Sequence, residues 1–262
     1  MTAIERHNVR VRGHGGTPMM FAHGFGCDQN MWRFVAPALE NDFRTVLFDF
    51  VGAGGSSLEA YDPDRYSQLS GYADDVIDII GELGLTGVVF VGHSVSAMIG
   101  VLAALKKPKL FSRLVLVGPS PRYIDDDGYV GGFTAAQIEE LLAFLGENPM
   151  AWSQAMAPAI MGNADRPELG QELTDSFCRM DPEIAKGFAR VTFTADNRDD
   201  FPRVSHPTLI LQCSDDIIAP LAVGDYLRDQ IAGSRLVVLK ATGHCPNLSA
   251  PEEVVEAIRG FV

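Results

Sequence analysis

Apolar residues in this chain gather into short, β-branched runs separated by longer stretches of helical spacing. The runs are Met19 to Ala22, Thr45 to Phe48, Val88 to Val91, Leu114 to Val117, Thr208 to Gln212 and Arg235 to Leu239. Their apolarity is continuous rather than alternating, the pattern of strands covered on both faces, and it predicts a mostly parallel central sheet flanked by helices. Between the second and third runs, Leu69, Tyr72, Ala73, Val76, Ile77, Ile80 and Leu83 recur at helical spacing. Gly84 is placed to end that helix, because glycine readily takes the left-handed conformation that closes a last turn. Strand, helix and strand in that order make the unit of an α/β fold.

The alternation stops from about Tyr123 to about Asp200, a span too long for a single connection. Helix starts fill it instead. Thr134-Ala-Ala-Gln137 reads as a capping box ahead of Ile138, Leu141, Leu142 and Leu145, since the two polar side chains can each satisfy the other's free backbone amide. Asp181-Pro182-Glu183 supplies an N-cap followed by proline at the first helical position, where no amide hydrogen is needed. Pro149, Pro158 and Pro167 punctuate the rest. The expected organisation is a core in two parts, 1–121 and 201–262, with an inserted helical lid of about four helices at 122–200 roofing the strand ends.

Composition narrows the partners. A chain of 262 residues, 47% apolar, supports one substantial core. The net charge of −13 opposes nucleic acid and anionic membrane surfaces, which are bound through clustered Lys and Arg. There is no apolar run of signal-peptide length at the N-terminus and none of membrane-spanning length elsewhere, so a cytoplasmic protein is expected. Cys27, Cys178, Cys213 and Cys245 are far apart and form no C-x-x-C pair, which predicts reduced thiols. No ligand cluster predicts a metal, and nothing points to a cofactor.

Candidate chemistry begins after the third run, where Gly92-His-Ser94-Val-Ser96 leads into the helical stretch Ala97 to Leu105. A serine at a sharp strand-to-helix turn carries its hydroxyl out from the sheet and sets the next amides at a helix N-terminus, where they can stabilise an oxyanion. Ser94 is thus the candidate nucleophile, a helix-capping serine being the competing reading. Ser96 stands where the general pattern has glycine. After the first run, His23-Gly24-Phe25-Gly26 forms a loop in which a backbone amide can approach a reacting carbonyl. The amides of Phe25 and Val95 are the candidate oxyanion hole, with an ordinary glycine turn as the alternative. His23 reads as a structural hydrogen-bonding residue.

A hydroxyl is a weak nucleophile near neutral pH, so a histidine must take its proton and a carboxylate must orient that histidine. Asp215 and Asp216 both follow the strand Thr208 to Gln212, on the same rim of the sheet as Ser94, and spacing to Pro220 favours Asp216. His244 alone among the histidines follows that aspartate at the end of a later strand; a structural histidine is the alternative. His7 and His14 lie near the N-terminus, His206 precedes a strand, and His93 adjoins the serine but is expected to face away. Asp49-Phe-Val-Gly52-Ala-Gly54-Gly-Ser56 has no P-loop lysine and reads as a turn near the site, with Asp49 outside the chemistry.

These segments together resemble the RsbQ-like branch of the α/β-hydrolases, which includes a bacterial stress regulator and the plant karrikin and strigolactone receptors. The likeness rests on His23 to Gln29, Asp49 to Ser56, Gly92-His-Ser-Val-Ser-Ala-Met98, Pro121-Arg-Tyr123, Asp216-Ile-Ile-Ala-Pro220 and Gly243-His-Cys-Pro246. It makes Ser96 a trait of the branch and supports Asp216 over Asp215. It implies a V-shaped lid over an apolar pocket lined by Phe25, Val95, Tyr123, Leu141, Trp152, Met156, Leu173, Phe193 and Ile218. The expected activity is hydrolysis of a small, mostly apolar ester or lactone. The alternative that the resemblance implies is a ligand sensor that hydrolyses slowly and signals through a protein partner. A third reading keeps the three residues but changes the chemistry, to carbon–carbon bond hydrolysis or cofactor-free haloperoxidation.

Overall fold

The apolar runs become strands of a single seven-stranded sheet in a computed structural model that describes residues 1–262. In chain order the strands are β1 (Arg10–Arg12), β2 (Thr17–Ala22), β3 (Phe43–Leu47), β4 (Val88–His93), β5 (Phe111–Val117), β6 (Thr208–Asp215) and β7 (Arg235–Thr242). Across the sheet they run β1-β3-β2-β4-β5-β6-β7, and every pair is parallel except β1 with β3. The α/β-hydrolase fold class expected from the sequence is the one observed. β1 was invisible to an apolarity reading because Arg-Val-Arg is exposed throughout. β7 departs from the continuous pattern too: it is paired on one side only, and most of its side chains are partly or fully exposed.

Burial on both faces of the sheet follows from the strand period of two. Met19, Phe21, Val89 and Val91 join one apolar cluster, and their sequence neighbours Met20, Ala22, Val88 and Phe90 join the other. Helices cover these faces. Ahead of the central crossover lie α1 (Ala3–Arg6), α2 (Ala36–Leu39) and α3 (Leu69–Glu82), and α4 (Val95–Lys106) follows β4. Gly84, at φ 62°, ends α3 as expected, with the amides of Gly84 and Leu85 donating to Gly81 and Ile80.

Four helices separate β5 from β6: α5 (Ala135–Glu147), α6 (Pro149–Met161), α7 (Pro167–Cys178) and α8 (Pro182–Thr194). Thr134 and Gln137 form the capping box of α5, and the Asp181 carboxylate caps α8 through the amides of Glu183 and Ile184. Pro149 and Pro167 open helices, whereas Pro158 lies inside α6 instead of breaking it. It stands one turn from the end of that helix, so only one late hydrogen bond is forgone. The two ends of the insertion are clasped where they leave the sheet: Asn197 donates to the Pro121 carbonyl at 2.9 Å, Arg122 pairs with Asp196 at 2.6 Å, and Arg198 reaches Asp126 at 2.7 Å. After β6 come α9 (Leu221–Gln230), α10 (Pro246–Ser249) and α11 (Pro251–Arg259). No helix is long and apolar enough to cross a membrane.

Candidate active site

Strand order reverses between β2 and β4, and the carboxyl ends of these two strands carry the loops that meet at the site. β4 passes into α4 through Ser94 alone, at φ 56° and ψ −124°. That backbone conformation is costly for a residue with a side chain, and it persists only where the surroundings over-determine it. Here the Ser94 amide donates to the Val117 carbonyl at 2.7 Å, and Gly92 allows the close crossing: a Cβ there would lie 2.4 Å from the Ser96 carbonyl oxygen. The turn holds the Ser94 hydroxyl above the sheet edge.

His244 and Asp216 meet that hydroxyl from the far half of the sheet. Ser94 Oγ lies 2.7 Å from His244 Nε2, and His244 Nδ1 lies 2.7 Å from Asp216 Oδ2. The other carboxylate oxygen of Asp216 accepts from the amides of Ile218 (2.8 Å) and Ala219 (3.2 Å). Burial raises the Asp216 pKa, but His244 and these amides outweigh it and hold it below the ordinary carboxylate range. An ionised Asp216 only accepts, so Nδ1 carries the imidazole hydrogen and Nε2 is free to take a proton from Ser94. Exposures of 5% for Ser94, 4% for His244 and 7% for Asp216 keep all three away from bulk water. Asp215 is exposed and contributes only its carbonyl, which accepts from the Gly243 amide at 2.7 Å. A hydroxyl bonded to an imidazole that is itself fixed by a carboxylate can lose its proton as it attacks a carbonyl carbon.

Several supporting roles were not read from sequence. His93 does not turn away from the site: its Nε2 donates to the His244 carbonyl at 2.7 Å. Complete burial and the neighbouring His244 push the His93 pKa down to about 3, so this ring is neutral. The His244 amide donates to the Ile160 carbonyl at 2.8 Å, so the last turn of α6 grips the same residue from the other side. The Ser96 hydroxyl donates to the His23 carbonyl, tying the first turn of α4 to the loop that carries Phe25. That bond gives a physical reason for serine where the general pattern has glycine. His23 is structural, as expected, accepting from the Phe50 amide at 3.0 Å. Asp49 anchors two loops by accepting from the Gln29 and Gly55 amides at 2.8 and 2.9 Å and from Asn8 Nδ2 at 2.7 Å.

The Val95 amide opens α4, where first-turn amides have no intrahelical partner, and the Phe25 amide donates to none of the turn or loop carbonyls. Around Ser94 lies a cavity of only about 30 Å³. Of the residues expected to line a pocket, Phe25, Tyr123, Leu173, Phe193 and Ile218 border it, and the Tyr123 hydroxyl stands 3.4 Å from Ser94 Oγ. Val95 is buried at the start of α4 and does not border it. Trp152 instead borders a second cavity of about 310 Å³ between helices α5 to α8, while Leu141 and Met156 border neither and pack half-buried against the core. Apolar spacing marks the buried side of a helix without saying whether core or cavity lies there. Sequence reading missed Ile160, Phe177 and Thr192, which border the inner cavity together with Cys27 and Cys245.

Residues 19–257 match the alpha/beta hydrolase family. A strigolactone esterase of Arabidopsis thaliana is 39% identical over 98% of this chain and 96% of its own length. A karrikin insensitive 2 receptor of Petunia hybrida is also 39% identical, over 97% of this chain and 94% of its own. Among solved structures, a hydrolase from Oleispira antarctica superposes with a TM-score of 0.97 at 39% identity, covering 99% of this chain and 95% of that one. With likeness of this extent in both sequence and fold, the chain belongs to the alpha/beta hydrolase family.

Proposed function

We propose that the protein hydrolyses a small, mostly apolar ester or lactone through an acyl-Ser94 intermediate. The observation that carries this reading is the unbroken chain from Asp216 to His244 to Ser94, with both contacts at 2.7 Å. His244 Nε2 takes the hydroxyl proton as Ser94 Oγ bonds to the carbonyl carbon. The amides of Phe25 and Val95 hold the oxyanion, and their lack of other partners suits them to it. His244 then passes the proton to the leaving oxygen, and a water activated by the same imidazole cleaves the acyl-serine. Tyr123, Leu173, Phe193 and Ile218 surround the acyl group at the serine, with Trp152 further out; Leu141 and Met156 support the lid behind them. The segment 122–200 acts as the lid. Ser94→Ala is expected to abolish turnover of p-nitrophenyl acetate and the acyl adduct seen by intact mass; wild-type turnover in that variant refutes the reading.

The small size of the cavity at Ser94, about 30 Å³, favours a second reading in which hydrolysis is slow and occupancy of the site is reported to a protein partner. The likeness to a karrikin insensitive 2 receptor points the same way. Many turnovers per minute on any ester or lactone, with no partner recovered from the native cell, count against it.

A further inference from the structure

The cavity at Ser94, at about 30 Å³, is far below the roughly 300–1,000 Å³ of ordinary ligand pockets. A second cavity of about 310 Å³ adjoins it, bounded by the C-terminal ends of α5 and α7 and the N-terminal ends of α6 and α8. Two aromatic side chains, Phe25 and Phe177, are walls of both. Their ring centroids are 5.8 Å apart, and Trp152 closes the cluster at 5.4 Å from Phe177. The outer cavity runs from buried Trp152 and Ala185 to exposed Met150, Glu147 and Pro182, so its far end faces solvent.

We infer that Phe177 is a specificity-determining gate between an inner chamber for the reacting carbonyl and an outer chamber that takes the apolar bulk of the substrate. This rests on Ser94 being the nucleophile: the carbonyl carbon must reach Ser94 Oγ, and a substrate larger than the inner chamber must then pass Phe25 and Phe177. The backbone beneath the gate is fixed. Ser176 Oγ donates to the Gly26 carbonyl at 2.7 Å, and Arg33 holds Glu172 in a two-pronged pair at 2.7 and 2.8 Å, both tying α7 to the loop after β2. Opening therefore falls to rotation of the Phe177 ring rather than displacement of α7. The ring rests on bare backbone: a Cβ at Gly26, whose φ is 74°, would lie 2.0 Å from Phe177 Cδ1. The substrate class is an ester or lactone whose apolar portion extends several carbons beyond the carbonyl.

The test compares kcat/KM for p-nitrophenyl hexanoate and p-nitrophenyl acetate. Removing the ring in Phe177→Ala joins the chambers and raises the hexanoate-to-acetate ratio at least about tenfold, given about fourfold for each methylene newly buried. Phe177→Leu, a smaller change to the lid, raises it less. Ala185→Trp fills the outer chamber and lowers the ratio. Binding of p-nitrophenyl hexanoate to the same variants on a Ser94→Ala background, read by calorimetry, follows the same order and tests the gate even where turnover is absent. Ratios and affinities unchanged in all three variants overturn the gate while leaving the serine reading intact. Absence of acyl-Ser94 together with the expected binding order refutes the serine reading and supports the two chambers.

Discussion

His93 offers a test of how the site is held, because its effect can be worked out in advance. Its ring is wholly buried under His244, and its pKa is pushed down from the ordinary 6.5 to about 3 by burial first and by His244 second. An unfolded chain takes up a proton on this histidine as the pH falls below about 6.5, whereas the native protein does not until about pH 3. Stability is therefore fully present above that window and is lost as the pH falls through it, at about 1.4 kcal/mol per pH unit. Between pH 7.5 and 5 the loss due to His93 is about 2 kcal/mol. His93→Gln removes the titration while keeping an amide that can donate to the His244 carbonyl. Urea unfolding of both proteins at the two pH values isolates the effect. The pKa of His23 is lowered too, by burial, but that contribution is common to both proteins and cancels. The wild type should lose about 2 kcal/mol more than the variant on acidification. Equal losses in the two proteins would mean that His93 is not buried as a neutral ring, and the account of how it fixes His244 would fail.

Two further substitutions separate orientation from support. Asp216→Asn leaves the shape of the site but removes the carboxylate that fixes the His244 tautomer, and kcat on p-nitrophenyl acetate should fall by about 10⁴-fold. Asp215→Asn, altering an exposed side chain one residue away, should stay near the wild-type rate; equal damage from both would overturn the choice between them. Ser96→Ala leaves the buried His23 carbonyl without this donor and should cost about 1–3 kcal/mol in a denaturant titration. A loss below the error of that titration would show that the bond is not needed to hold the two loops together.

What could be read from sequence and what could not divides along physical lines. Continuous apolar runs exposed the central strands because a strand buried on both faces has no polar side to disguise it, while β1 and the edge strand β7 carried a weaker signal for the opposite reason. Ser94, Asp216 and His244 were legible although 150 residues separate the first from the last, since chain order and position at strand ends constrain which groups can meet on one rim. The supporting bonds were hidden because each ends on a backbone carbonyl whose position only the tertiary fold supplies: the His93 side chain on that of His244, the Ser96 side chain on that of His23, and the His244 amide on that of Ile160 in α6. The same reason explains why Phe177 escaped notice and Leu141 and Met156 drew it. A helix of the insertion shows its apolar side in sequence, but what faces that side depends on the angle at which helices cross. The turn at Ser94 is thus written in local sequence, where strain and helix start coincide, whereas the gate inferred above rests on rings such as Phe25 and Phe177 that lie far apart in the chain and meet only in the folded protein. If that inference holds, variation at Phe177 should alter the size of ester accepted without altering the proposed attack by Ser94.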